Sequence, residues 1–152
     1  MALVRHRITA RVILQAKTGT FLMFFTHWDP ESGLNPRWVI PGGGIEEDEP
    51  IALAAARELQ EETGFWVEPE RLGTAVGTLE FTQVWINGDH ETGAAHIFHL
   101  VVDDEFEPDA GRWTDEEQRD ILASRWWNLS DLIASGEQIG PPGLVELMRS
   151  LS

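Results

Sequence analysis

Apolar positions along this chain fall into short runs with two different periods. Residues 8–15 are apolar and β-branched enough for a buried strand. Lys17-Thr18-Gly19-Thr20 reads as a turn, and residues 21–27 as a second strand. Two prolines and Ser32-Gly33 make 29–36 a loop. Residues 38–40 form a short strand that runs into Pro41 and three glycines. The period then changes. Ile51, Ala55 and Leu59 recur at every fourth position, with Ala52 and Ala56 beside them, which predicts a helix with one apolar face. Pro50 suits the first turn of that helix and Gly64 its end.

Residues 72–86 and 94–102 read as the arms of a β-hairpin turning through Asn87-Gly88-Asp89. An acidic loop, 103–118, follows, and a loop of that length is often functional. Residues 125–128 read as a strand, and Ser130 as the cap of a short helix around Leu132. Leu144, Leu147, Met148 and Leu151 share one face of a terminal helix over 143–151. Strands around a central helix, with helices late in the chain, predict an α/β sandwich. No repeat or low-complexity linker divides the 152 residues, so 1–152 reads as one domain.

The second half of the central helix carries the chemistry. Glu58, Glu61 and Glu62 are three and four residues apart and converge on one face. Taken alone, a Glu-x-x-Glu-Glu run is more often a solvated acidic face. Crowded carboxylates repel, however, and a divalent cation is the simplest compensation. All-oxygen ligation suits Mg²⁺ or Mn²⁺. Gly42, Gly43 and Gly44 lie just upstream, where glycine lets the backbone approach a ligand closely.

The stretch 43–65 resembles the Nudix box, G-x5-E-x7-R-E-U-x-E-E-x-G-U with U apolar. Gly43, Glu49, Arg57, Glu58, Leu59, Glu61, Glu62, Gly64 and Phe65 fill every specified position. With each fixed residue at about one in fifteen, a chance match in such a chain is on the order of 10⁻⁷. Asp48 stands where many members of the family have Gly before the first box glutamate; Asp tolerates left-handed backbone better than most residues. The resemblance implies a Nudix-type α/β/α sandwich with a mixed sheet. It implies Glu58, Glu62 and the Gly42 carbonyl as metal ligands, with Glu61 a ligand or a base. Arg57 would orient the carboxylates, and Glu49 would support the loop or the metal, or simply sit at the positive end of the helix dipole. A further base commonly comes from outside the box; Glu116 and Glu117 are the candidates, with Glu80 a weaker one.

For the substrate, Arg37 is a candidate phosphate partner. Trp38 beside it, Gly43, Gly44 and Trp28 complete the candidate substrate contacts, and Trp85 and Trp113 are further stacking candidates. His96 and His99, three apart in a strand, point to opposite faces and do not form a shared metal site.

Composition narrows the partners. Apolar residues make up 42% of the chain, which argues against disorder. No apolar run approaches the length of a membrane span, and residues 1–7 lack the apolar core of a signal peptide. There is no cysteine, hence no disulfide or thiolate chemistry, and cytoplasmic residence is the expectation. The net charge of −15 disfavours duplex DNA, long nucleic acid and anionic lipid. A small nucleotide arriving with its own cation remains compatible. Many relatives dimerise, so a homodimer is an open expectation.

The resemblance implies metal-dependent hydrolysis of a phosphoanhydride in a nucleoside diphosphate linked to another moiety. Family markers narrow this by elimination. Glu80 stands where ADP-ribose hydrolases often carry Pro, and the chain lacks the Tyr that dinucleotide hydrolases often use. A nucleoside or deoxynucleoside triphosphate, cleaved to monophosphate and pyrophosphate, is the favoured substrate. ADP-ribose, sugar-nucleotide or dinucleotide cleavage is the alternative. A non-catalytic nucleotide-sensing domain is the rival of another class, although such domains usually lose box glutamates. An isopentenyl-diphosphate isomerase-like activity would need a cysteine that this chain lacks.

Overall fold

The computed structural model describes residues 4–27 and 32–151. Its centre is β1 (Val4–Ala16), which runs parallel to β6 (His90–Val102) over the full length of both strands. β5 (Gly77–Val84) pairs antiparallel with β6. β2 (Phe21–Thr26) meets β1 only at Gln15–Phe21, then pairs with β3 (Arg37–Val39) along one side and β7 (Ile121–Trp127) along the other. The freed edge of β1 is taken by β4 (Gly42–Gly44), which pairs Thr9–Arg11 antiparallel. The sheet is therefore mixed.

Alternation along the strands divides the core in two. Ala10, Val12, Leu14, Leu22 and Phe24 face one cluster, which α1 (Ile51–Thr63) covers with Ala54, Ala55, Ala56 and Leu59. Ile13, Phe21 and Met23 face the other, which is closed by Leu132 of α4 (Leu129–Ser135) and by Leu144 and Met148 of α5 (Leu144–Ser150). Helices on both faces of a mixed sheet make the α/β sandwich that the sequence predicts.

Several elements differ from the sequence-based expectations. β1 begins at Val4 rather than residue 8 because its first residues are held by pairing with β6, and their side chains are mostly exposed. Pro50 occupies the N-cap position of α1, outside its first turn. Ile51 is exposed, and Ala54 takes its expected place in the core. The first hairpin arm is shorter than expected at both ends, the second starts earlier, at His90, and α2 (Pro69–Leu72) precedes the first. The stretch 103–118 runs into α3 (Asp115–Asp120), whose capping box joins Thr114 and Glu117. β7 begins at Ile121, ahead of the predicted residue 125. The cap of α4 is Asn128, whose side chain accepts from the Ser130 and Asp131 amides; Ser130 itself lies inside the helix.

Two backbone expectations hold. Asp48 has φ +59° and Gly64 has φ +81°, so the left-handed turns stand where the sequence places them. Leu59 is fully buried on the inner face of α1. Leu59→Ala should destabilise the protein by about 2–5 kcal/mol, measured by denaturant unfolding.

Candidate active site

The glycine strand and the helix are built around each other. Gly43 lies so near α1 that a Cβ on it would stand 2.6 Å from the Glu58 carboxyl carbon. At Gly42 a Cβ would meet Arg11 Cγ at 2.3 Å and the Ala10 carbonyl at 2.5 Å. Neither position accepts a side chain without displacing backbone or a carboxylate. The Gly42 amide donates to Glu62 Oε2 at 3.2 Å, which ties strand to helix at the point where the acids gather.

Arg57 organises the rest. Its Nε and Nη2 grip Glu49 at 2.8 and 2.9 Å in a bidentate pair. Nη2 also donates to the Gly44 carbonyl at 3.0 Å. Nη1 reaches Glu58 Oε1 at 3.0 Å and Glu61 Oε2 at 3.3 Å. One guanidinium thus locks the glycine strand, the helix N-terminus and two of the candidate ligands. Hydrogen bonding to Glu49 raises the Arg57 pKa, with burial opposing. The same bond lowers the Glu49 pKa. Glu49 therefore serves the loop by holding Arg57.

Glu58 and Glu62 behave in the opposite way. Burial raises the pKa of Glu58; Arg57 opposes this, while the charges of Glu61 and Glu117 add to it. Glu62 is buried, and burial pushes its pKa well up, with Glu58 and Glu117 adding and Arg11 and the Gly42 amide opposing. Burial is the larger influence on both carboxylates, and the charges of neighbouring acids add to it.

The acidic stretch beyond the hairpin is fastened to the same helix. Trp113 Nε1 donates to the Glu62 carbonyl at 2.7 Å, and the Asp109 amide to the Thr63 carbonyl at 2.9 Å. Phe106 stacks on Phe65. These contacts bring Glu116 and Glu117 to the lip of the cleft that Glu58, Glu61 and Glu62 line. Glu117 also has a structural duty, since its Oε1 accepts from the Thr114 amide at 2.9 Å.

The cleft measures about 850 Å³. Cations line it as well as acids. Of the 11 lysines and arginines in the chain, five line it: Arg5, Arg7, Arg11, Arg37 and Arg119. Arg5, Arg7 and Arg11 are spaced by even numbers on β1 and share a face. Arg5 sits 4.0 Å over the Trp85 ring and binds Asp89 at 2.6 Å. Arg11 donates to the Ile40 carbonyl at 3.1 Å. Burial lowers the pKa of Arg37 to about 9, with Arg11 and Arg7 adding to the shift and Glu91 opposing.

A family model for the NUDIX domain matches residues 5–148. The chain belongs to the Nudix family. It is similar to the RNA pyrophosphohydrolases of Brucella abortus (strain 2308) and Brucella ovis, at 34% identity over 85 residues. That match covers 56% of this chain but 42% of those relatives, so the chain matches less than half of their length. Among solved structures, it resembles the Escherichia coli dihydroneopterin triphosphate pyrophosphohydrolase at a TM-score of 0.69, with 20% identity and 97% and 96% of the two chains covered. It resembles the MutT protein of Methanosarcina mazei Go1 at 0.66, with 17% identity and 96% and 92% coverage. At such identities the likeness establishes the fold.

On this Nudix domain the candidate residues separate clearly. Gly42, Gly43, Gly44, Glu58, Glu61, Glu62, Arg37, Glu116 and Glu117 all line one cleft. Trp38 does not: its indole is buried, edge-on to Trp127 at 5.2 Å and tilted against Phe25 at 5.0 Å. It is a core residue, and a substrate role for its ring is withdrawn. Trp113 ties the helix end instead of presenting a stacking face, whereas Trp85 lines the cleft. Glu80 is exposed on β5, away from the cleft. Trp28 lies outside the described residues. Sequence reasoning missed Arg5, Arg7 and Arg11; their even spacing ahead of an apolar run was the available signal.

Nudix hydrolases generally use divalent metal ions. Among the described residues, no three acidic or histidine side chains already close on one point. The donor set nevertheless fits a hard divalent ion: all-oxygen, partly buried, and pushed toward its neutral form by burial and by neighbouring acids. This has a consequence for stability. Folding raises the Glu62 pKa, so the ionised side chain costs stability above that raised value. The cost disappears as pH falls through the raised value toward the ordinary carboxylate range. Glu62→Gln should therefore raise the melting temperature in EDTA near neutral pH, and saturating Mg²⁺ should narrow the difference from wild type. Thermal melts with and without the ion test both statements.

Proposed function

We propose that this Nudix hydrolase cleaves a nucleoside or deoxynucleoside triphosphate to the monophosphate and pyrophosphate with Mg²⁺ or Mn²⁺. The observation that carries the reading is the lining of the cleft: the box carboxylates and five arginines share one space, in a chain of net charge −15. A metal-bound polyphosphate would set negative charge against the arginines and a divalent ion against the box acids.

Glu58, Glu62 and the Gly42 carbonyl would hold the ion, with Glu61 beside them. A bound ion would neutralise phosphate charge and lower the pKa of its water. Arg11 and Arg37 would hold the phosphates, at the part of the cleft where burial lowers the pKa of both guanidiniums and an added anion would raise it. Water adds to phosphorus, the phosphoanhydride P–O bond breaks, and the pyrophosphate oxygen leaves with the electron pair. A carboxylate takes the proton from water. Glu61, Glu116 and Glu117 stand at the cleft for that task. Arg57 is bonded to Glu49, Glu58, Glu61 and the Gly44 carbonyl and would act through them, as a positioning residue.

A second reading has its own support. The Brucella relatives are named RNA pyrophosphohydrolases, which points to a triphosphorylated RNA 5′ end as substrate. The charge of −15 disfavours a long polyanion, so the mononucleotide comes first.

Product chromatography after incubation with nucleoside triphosphates, ADP-ribose, dinucleotides and a short 5′-triphosphorylated RNA, each with Mg²⁺ and then Mn²⁺, separates these readings. The expected products are monophosphate and pyrophosphate. Glu62→Gln should lower turnover at least about a hundredfold with the fold intact by circular dichroism, and Arg57→Lys about 10–100-fold. Inactivity across the whole panel would favour a nucleotide-sensing domain.

A further inference from the structure

Beside the carboxylate cleft lies a second cavity of about 460 Å³. Arg11, Arg37 and Val39 line both, so the two spaces share a wall. Their chemistry differs. Among the described residues, no carboxylate lines the second cavity. Leu34, Phe81 and Ile139 supply apolar surface, while Asn35, Gln83 and Gln138 supply amides.

The walls are fixed by backbone bonds. Phe81 and Gln83 are two apart on β5 and share a face. Phe81 stands opposite Gly93 of β6, and a Cβ on Gly93 would lie 2.4 Å from its ring. The ring therefore lies directly over bare glycine backbone. Across the cavity, residues 138–140 are joined to β3: the Trp38 amide donates to the Gln138 carbonyl at 2.8 Å, and the Gly140 amide to the Trp38 carbonyl at 2.9 Å. The loop before β3 is tied down where the Ile86 amide donates to the Ser32 carbonyl at 2.8 Å.

A concave, mainly apolar space with a few convergent polar groups suits a small organic moiety. Each amide side chain offers both donors and an acceptor, as the edge of a nitrogen heterocycle requires. An aromatic ring on the wall offers a stacking face. The cations lie only at the seam with the carboxylate cleft.

We infer that this cavity seats the planar nitrogen heterocycle of the substrate, with its polyphosphate crossing Arg11 and Arg37 to the carboxylates. The inference rests on the function proposed above and adds which residues select the substrate. Phe81 stacks on the heterocycle, and Gln83 and Asn35 read its edge.

Calorimetric titration with Mg²⁺ tests it. The probes are the α,β-methylene analogues of guanosine and uridine triphosphate, with methylenediphosphonate as the phosphate-only control. At least one nucleotide analogue should bind wild type about tenfold or more tighter than the control. Gln83→Ala and Phe81→Leu should each weaken that nucleotide about tenfold and leave the control unchanged. Gln83 is only partly buried, so its variant keeps the test informative if Phe81→Leu fails to fold. Equal affinity of wild type for nucleotides and control, or unchanged nucleotide affinity in both variants, would overturn the heterocycle seat while the reading of the cleft stands. Binding of none of the three probes would overturn the reading of the cleft, and this inference with it.

Discussion

The site depends on one guanidinium. Helical spacing forces Glu58, Glu61 and Glu62 onto a single face, and packing against the glycine strand then buries part of that face. Left alone, the arrangement would relieve its repulsion by swinging side chains into solvent. Arg57 prevents this by holding Glu58 and Glu61 while its other nitrogens are anchored to Glu49 and the Gly44 carbonyl. An arginine suits the position because a planar fork bonds in several fixed directions at once. Lysine, a point charge on a flexible stem, would satisfy one partner at a time.

The sheet serves this arrangement by splitting. β1 leaves β2 after a single pair and gives its freed edge to the glycines. That places the turn against the helix while β6 keeps β1 straight over its whole length. Because β1 is long, its early, mostly exposed half carries arginines past the edge of the core. The candidate acids and the β1 arginines thus meet across the pairing of β1 with β4, which is why they share a cleft.

The box was legible because its chemistry is local. Spacing along one helix fixes which carboxylates meet, and Gly64 and Asp48 announce their backbone turns in their residue types. Leu59 and the alanines of α1 could be placed by period alone, although Ile51 showed that a period does not say where a helix first meets its core. What escaped was made by tertiary pairing. Arg5 and Arg7 flank no buried residue, so only the ladder with β6 reveals them as strand. Trp38 sits next to Arg37 in sequence, yet alternation sends its ring into the opposite core. The capping box of α3 was present as Thr114 and Glu117, but a run of exposed acids offers no apolar face to signal a helix.

The charge distribution follows from the same logic. An acidic surface repels polyanions at long range, and five of the chain's 11 lysines and arginines gather in the cleft. Burial weakens the hold of Arg11 and Arg37 on their protons, just as it weakens the tendency of Glu58 and Glu62 to ionise. Arg11 and Glu62 partly offset each other, yet burial remains the larger influence on both. A ligand that brings negative charge toward the arginines and a cation toward the carboxylates would favour the charged form of each, and a metal-bound polyphosphate is such a ligand. Bringing both components at once removes two penalties that binding either alone would leave in place.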